Sequence, residues 1–466
     1  MSKDGDDSAQ TVIAAGTARA PGPSAQDILR AEARDIAPLP HLLEESYTYL
    51  GSEGIPAERY TSREFARLEA ERLWPKVWQM ACRKEDIPEV GDFQVYSIVN
   101  HSIIVVRAAP NEIKAFHNSC LHRGTAICQG EGRVQHLRCP FHGWTWHLDG
   151  SPKKIPSRWD FPHVQLNDSR LPEVRVGIWQ GFVFINMDPD AKPLDEYIGV
   201  FKEHFVGWAD LENRVVAVHA AKVVNCNWKV ATEAFLETYH VRASHPNLSW
   251  YNNDENTQYD IYGDNVSRFI SLIGMPTPDA GDVPADFLVK TYAEASGFPD
   301  PDSMEKEAAR SGNARETIEN TVKPLLEGGT GIPMAGLPRI AVVDAISYFL
   351  FPNFSPWPVL GVPLLYRFRP YGEDPDFCIL ETMLMQPVAS GAPRPAPAKA
   401  HWVQGDTFNE VPGAGALAPV INQDLVNLPR VQVGLKASKK GTVTLANYQE
   451  IRIRHFHNTL MKYIGG

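Results

Sequence analysis

Two short cysteine–histidine pairs constrain this chain more than any other feature. Cys120-Leu121-His122-Arg123-Gly124 is followed, after residues 123–138, by Cys139-Pro140-Phe141-His142-Gly143-Trp144. One bound group that used all four side chains would require two loop tips held face to face. A structural zinc site is one candidate, but zinc fingers group their cysteines first and their histidines after. The interleaved order suits a [2Fe–2S] cluster with two thiolates on one iron and two imidazoles on the other. Gly124 and Gly143 allow tight turns of the backbone close to the inorganic sulfurs. Cys128, between the pairs, reads as a buried thiol.

The flanking sequence has the rhythm of strands. Phe93 to Ile98 and Ser102 to Arg107 read as a hairpin around Asn100-His101. Gly177 to Asn186 reads as a second, turning at Gln180-Gly181, and Asp149-Gly150 is a further turn signal. A compact all-β domain fits residues 78–189.

A second constellation lies in Asn225 to Trp250. Glu233, Glu237 and His240 stand at i, i+4 and i+7, which on one helix stacks two carboxylates and an imidazole on a single face. His245 would diverge from His240 if the helix continued, but Pro246 pushes the residue before it into extended geometry. The helix is therefore expected to end near Ala243, returning His245 to the side of His240. Two histidines and a nearby carboxylate are a set that asks for a metal ion. Local spacing does not say which carboxylate completes it.

The rest of the chain bounds the setting. Its 466 residues allow two or three cores. A net charge of −11 without a cluster of Lys and Arg argues against nucleic acid or an anionic membrane as partner. No apolar run is long enough to span a bilayer, the first ten residues carry no secretory h-region, and the expected location is cytoplasmic. Six cysteines are too sparse for a disulfide scaffold. Residues 1–45, rich in Ala, Gly, Pro and Ser, read as a flexible arm. Thr61 and Glu64 read as a capping box opening a helix that Pro75 stops, with Glu69 interrupting its apolar stripe. Residues 215–224, 339–351, 363–370 and 377–385 are β-rich. The polar stretch 275–337, helical near 285–295 and 303–327, reads as a surface insertion or a lid. Residues 448–464 read as a terminal helix, on which His455 and His457 cap, pair or face solvent. No G-x-G-x-x-G follows a strand, so hydride chemistry is expected elsewhere.

Together, C-x-H-R-G, C-P-F-H-G-W and N-W-K followed by E-x-Y-H-x₄-H resemble the α subunits of Rieske non-haem iron ring-hydroxylating oxygenases, from about residue 60 to the end. The resemblance implies an α+β protein in which a small all-β Rieske domain precedes a larger helix-grip (START-like) catalytic domain with a curved antiparallel sheet. The expected divisions are 1–45 (arm), 46–190 (Rieske domain with its leading helix) and 191–466 (catalytic domain, with 275–337 as insertion). It also implies one [2Fe–2S] cluster on Cys120, His122, Cys139 and His142, and one Fe(II) on His240, His245 and a C-terminal carboxylate. The segment Gln423-Asp424-Leu425 through Val431-Gln432-Val433-Gly434-Leu435 matches the family pattern and points to Asp424, with Asp406 and Glu410 as alternatives. Where relatives often carry a further acidic residue, this chain has Asn427, Leu428 and Pro429. Glu237 stands where the family, usually with Asp, links the iron site to a cluster histidine of the neighbouring subunit. Glu233 is a possible supporting partner or a helix-face charge.

The implied function is that of a terminal oxygenase in a multicomponent system, using O₂ on a small hydrophobic or aromatic substrate. Electrons would come from NAD(P)H through a reductase, with or without a ferredoxin. The implied assembly is a homotrimer, with a β subunit possible. An O- or N-demethylating monooxygenase is the alternative of the same class. An electron carrier would need only the β domain. The same ligands serve mono- and dioxygenation, so the motifs do not separate them. The pocket is expected around Phe235, Leu236 and the segment Tyr348 to Phe354.

Overall fold

The computed structural model of the protein describes residues 14–33 and 36–465. The stretch 1–45, expected as a flexible arm, contains a helix. Residues 1–13 lie outside the described residues, but Ser24 caps a helix, α1 (Ala25–Glu32), through a reciprocal bond with Asp27. Its Ala25 and Leu29 are buried in a core shared with the catalytic domain. Glu32 ends the helix in a pair of salt bridges to Arg315 and Arg339. Two buried apolar residues and one half-buried, doubly paired carboxylate hold a helix in a segment whose composition suggested none.

The β domain is a seven-stranded antiparallel sheet, in spatial order 79–83, 182–186, 173–179, 112–117, 101–109, 92–98 and 131–133. Both expected hairpins form. Gln180 and Gly181 both have positive φ, 49° and 79°, the geometry of a type I′ turn whose twist matches its strands. The first hairpin turns one residue early, at Val99-Asn100, with Ile98 opposite His101. A separate three-stranded sheet (137–138, 145–146, 152–154) carries the second Cys-His loop.

Helix α2 (Arg63–Leu68), continued by a wider turn over Glu69–Leu73, leads into this domain. Ser62, not Thr61, caps it by accepting the Phe65 N–H, and Glu64 pairs with Arg67 instead of closing a box. Glu69 is no defect in the stripe. It is buried against Lys229 of the catalytic domain at 2.6 Å. The leading helix thus packs on the catalytic side, and one hydrophobic core runs from Trp74, Tyr96 and Val183 through Trp228 to Phe456.

The catalytic domain is built on eight strands: β1 (Arg214–Val224), β2 (Gln258–Tyr262), β3 (Val266–Ser271), β4 (Ala345–Leu350), β5 (Phe354–Pro356), β6 (Leu364–Pro370), β7 (Cys378–Pro387) and β8 (His401–Trp402). Their order across the sheet is β2-β3-β4-β5-β6-β7-β1-β8, antiparallel except for the edge pair β1–β8. Alternation divides β6 between two cores: Leu364, Tyr366 and Phe368 join one and Leu365 the other. Arg367 between them is neutralised by Glu381 of β7 through two bonds of 2.7 Å. Helices α3 (Trp228–Glu233), α8 (Leu417–Ala437) and α9 (Ile451–Ile464) contribute Ala231, Ile421, Leu425 and Phe456 to the first core. The 275–337 stretch holds three helices, α5 (Ala285–Ala295), α6 (Pro301–Ser311) and α7 (Ala314–Thr330), with α4 (Val241–Ser244) before them. No helix of the described residues is long and apolar enough to cross a membrane.

Candidate active site

The two Cys-His loops repeat one backbone design. The N–H of Cys120 donates to the Thr125 carbonyl and that of Gly124 returns to Cys120. In the same register, Cys139 donates to Trp144 and Gly143 to Cys139. Gly124 and Gly143 have φ of 80° and 76°, which L side chains rarely adopt. Cys120 and Cys139 are buried, while the His122 and His142 rings reach the surface with centroids 4.6 Å apart. His122 stacks on Trp144 at 5.4 Å. Burial raises the Cys120 thiol above its ordinary pKa. Cys139 is lowered because, against its own burial, N–H groups of Phe141 and His142 and the Thr125 hydroxyl face its sulfur. Paired thiols ringed by N–H donors, with two imidazoles on the outer side, fit a [2Fe–2S] group of mixed ligation.

The second constellation departs from the helix expected of it. α3 stops at Glu233, residues 234–240 form turns, and only the short α4 follows. Glu233 and His240 are therefore not on one helix face. The turn is held by Glu237, whose Oε1 lies 2.8 Å from the His240 Nδ1 while its Oε2 accepts the His240 N–H at 2.9 Å. His245 does cap α4 in non-helical geometry ahead of Pro246. Asp424 comes from the middle of α8, its Oδ1 3.0 Å from His245 Nε2 and 3.7 Å from His240 Nε2. The three ligand atoms lie within 4.8 Å of one another. Burial disfavours the imidazolium of His240, but Glu237 and Asp424 outweigh it and push its pKa up to about 9. Two imidazole nitrogens and one carboxylate oxygen converging in this way fit one divalent iron with open positions.

Gln423, adjacent to Asp424, was not singled out by its sequence context, yet its Oε1 sits 2.6 Å from His245 Nδ1. Each histidine thus has its outer nitrogen held, one by a carboxylate and one by an amide. The only available signal was the Q-D pair itself. Asp406 is exposed, and Glu410 accepts the N–H of Gln404 and Gly405, so both stand outside the constellation. Glu233 faces away from it, toward His457 at 2.8 Å and Tyr60 at 3.2 Å. His455 bonds the Gly263 carbonyl. Among the described residues, no hydrogen bond, ion pair or ring contact joins the four cluster-site residues to Glu237, His240, His245 or Asp424.

A cavity of about 930 Å³ opens onto His240, His245 and Asp424. Phe235 lines it as expected, but Leu236 and the Tyr348–Phe354 segment do not. Tyr348 instead packs against Phe201 and Phe205, on the face of β4 away from the cavity. The walls come from Phe269 of β3, Tyr366 of β6, Trp357, and Tyr292 and Val322 of the 275–337 helices. The register shift between Val216 and Val218 in the β1–β7 pairing places Ala217 and Val218 on the same wall.

Comparison with known proteins agrees with this geometry. Residues 77–165 match the Rieske [2Fe-2S] domain model. The chain is 30 % identical over 202 residues to the glycine betaine monooxygenase oxygenase subunit of Pseudomonas aeruginosa, covering 42 % of this chain and 46 % of that one. It is 31 % identical over 187 residues to the biphenyl 2,3-dioxygenase subunit alpha of Rhodococcus jostii, covering 39 % and 41 %. The chain spans about half the length of the curated relatives it matches. The fold is shared with the quaternary ammonium Rieske monooxygenase CntA in complex with L-carnitine (TM-score 0.59, 17 % identity, 88 % of this chain and 95 % of that one). It is shared too with naphthalene 1,2-dioxygenase from Rhodococcus sp. bound to indole (TM-score 0.61, 21 % identity, 88 % and 94 %). Residues 205–466, more than half of the chain, match the ring hydroxylating alpha subunit (catalytic domain), and with its Rieske domain the chain belongs to the family of Rieske ring-hydroxylating oxygenase α subunits.

Proposed function

We propose that this protein is the terminal oxygenase of a multicomponent system, acting on a hydrophobic, uncharged substrate. The observation that carries the reading is the convergence of His240, His245 and Asp424 on the floor of a large apolar cavity. When bound, the cluster supplies single electrons and the iron supplies the centre where O₂ is reduced against substrate. Cys120, His122, Cys139 and His142 hold the first, and His240, His245 and Asp424 the second. Glu237 fixes the His240 ring so that Nε2 faces the cavity, and Gln423 does the same for His245. Phe235, Phe269 and Tyr366 exclude water around the reacting carbon and bind it by apolar contact. The α5–α7 helices form a cover that sets substrate size.

The proposed assembly is a homotrimer in which a neighbour's cluster serves this chain's iron through Glu237. Among the described residues the two sites share no bonded contact within one chain, which supports that reading. The electron donor is a reductase, with or without a ferredoxin. Aside from the site carboxylates and histidines, the cavity wall holds no charged side chain among the described residues, which favours a neutral substrate over a zwitterion.

A second reading, N-demethylation of a quaternary ammonium compound, draws on the aromatic run Phe269–Trp357–Tyr366, with ring centroids 5.3 and 6.0 Å apart. The test is turnover of polycyclic aromatic, heteroaromatic, steroid-like and trimethylammonium compounds with a surrogate reductase under ¹⁸O₂. Label in a neutral product supports the first reading, and formaldehyde release from the trimethylammonium compounds alone replaces it with the second.

A further inference from the structure

We infer that Asn252 is a specificity-determining residue: its side-chain amide donates a hydrogen bond into the cavity and selects hydrophobic molecules that carry a neutral oxygen acceptor, such as a ketone or an ether. The inference rests on the oxygenase reading for what the cavity is used for.

Asn252 lines the cavity and is only 9 % exposed. Its backbone is pinned by an isolated β-bridge to Ile273, and the neighbouring Asn253 N–H donates to the Leu272 carbonyl. The side chain is pinned too. Ser271 Oγ lies 2.5 Å from Asn252 Oδ1. That separation belongs to an O–H···O bond and is shorter than N–H···O bonds allow, so the amide oxygen faces Ser271 and the NH₂ faces away.

The donor order behind it is consistent. Thr257 Oγ1 donates to Ser271 Oγ at 2.9 Å, Thr238 Oγ1 lies 3.0 Å from Thr257 Oγ1, and Tyr259 OH lies 2.8 Å from Thr238 Oγ1. Thr257 Oγ1 also lies 3.2 Å from the Asn253 carbonyl and Thr238 Oγ1 3.1 Å from that of Asp254. Every proton of this row of hydroxyls therefore has an acceptor, and at its end Ser271 donates to the Asn252 carbonyl oxygen. Thr238 and Ser271 also line the cavity, but their protons are engaged in this row.

Asn252 Nδ2 makes no hydrogen bond among the described residues and, unlike both side-chain polar atoms of Asn353, is not fully enclosed, so its N–H groups are open to the cavity that the side chain lines. A tyrosine hydroxyl such as that of Tyr366 can rotate toward or away from the cavity, whereas this amide cannot turn without breaking the 2.5 Å bond. An oriented donor in an apolar wall penalises a ligand that leaves it unpaired and rewards one that accepts from it.

The test compares 9-fluorenone with fluorene, planar near-isosteres that differ by one carbonyl, binding to the anaerobic iron-loaded protein in calorimetric titrations. In an indifferent apolar cavity the more hydrophobic fluorene binds more tightly. The expected result is the reverse, with fluorenone about tenfold tighter, and Asn252→Leu restoring the preference for fluorene. Equal affinities, tighter fluorene in the wild type, or binding of neither overturns the inference. The infrared carbonyl stretch of fluorenone bound to the wild type needs no variant. A shift below its position in hexane supports the bond, and an unshifted band overturns it. The two readings fail separately. Fluorenone preferred without ¹⁸O incorporation into any compound supports the donor while overturning the oxygenase reading, and ¹⁸O incorporation without the preference overturns only the donor.

Discussion

Both carboxylate oxygens of Glu237 are committed to a single residue, His240, one to the ring Nδ1 at 2.8 Å and one to the backbone N–H at 2.9 Å. A shorter aspartate would have to retract from one of them. The longer glutamate at this position therefore reaches back over its own turn, fixing the ring and the chain conformation together.

Replacing Glu237 with Gln leaves an amide that can accept from only one of these two groups and removes the negative charge. Cluster and iron are expected to stay bound, while transfer of electrons to the iron site slows by orders of magnitude. Single-turnover rates of the pre-reduced protein measure this, and near-wild-type rates would count against Glu237 as the link.

His245 and Asp424 share a 3.0 Å contact that only a metal or a proton can make favourable. Asp424→Asn or His240→Ala should lose the mononuclear iron and all turnover. The cluster's visible spectrum should be unchanged, because its four residues lie on other loops. Iron per chain would fall from three to two. A bleached cluster would show that the sites are not separate.

Gln423 holds His245 by a neutral amide where Glu237 holds His240 by a charge. Gln423→Leu frees the His245 ring and should weaken iron binding by about 10- to 100-fold. Gln423→Glu keeps an acceptor at the same reach and should recover most of the loss. Competition of the iron-loaded protein with a calibrated chelator reads both.

Much of this site was legible before any coordinates, and the parts that were not have physical reasons. Cys120 to His142 carry their order on the chain, because both loops close locally through Gly124 and Gly143. Asp424 lies far along the sequence from His240, and only resemblance singled it out. The helix through Glu237 was misjudged because periodicity does not register a side chain that bonds its own turn. The pocket wall at Tyr348 was misplaced because every residue of β4 is buried, so burial could not say which face meets the cavity. The helix α1 was hidden by the composition around it.

Glu233 Oε1 lies 2.8 Å from Nε2 of the buried His457. Burial raises the Glu233 pKa to about 8, against the lowering effects of Tyr60, Lys229 and Arg59, while His457 is held well below its usual range. From the ordinary carboxylate value near 4.5 up to about 8, the folded protein holds a proton that the unfolded chain has released. Below about 6.5 the loss of stability this causes is offset by His457, which stays neutral in the folded protein where the unfolded chain protonates it. The pair's net contribution therefore falls with rising pH mainly between about 6.5 and 8, by at most about 1.4 kcal/mol per pH unit, and levels off above. Glu233→Gln should remove this part of the slope. Urea denaturation midpoints from pH 5 to 9 compare the two, and parallel curves would exclude Glu233 as the titrating group.

The Asn227-Trp228-Lys229 triplet owes its constraint to Glu69. Asn227 caps α3 by accepting the Lys229 N–H, and Trp228 Nε1 and Lys229 Nζ converge on the Glu69 carboxylate at 3.2 and 2.6 Å. Lys229 is fully buried and Glu69 nearly so. Lys229→Met strands a buried carboxylate and should cost about 3–5 kcal/mol. The double variant Lys229→Met with Glu69→Leu removes both charges, and it should recover most of that loss, because desolvating an ion pair offsets much of its attraction. Denaturant midpoints of the two single variants and the double give the coupling. If the double variant is as unstable as the sum of the singles, the pair is not what joins the leading helix to the catalytic domain.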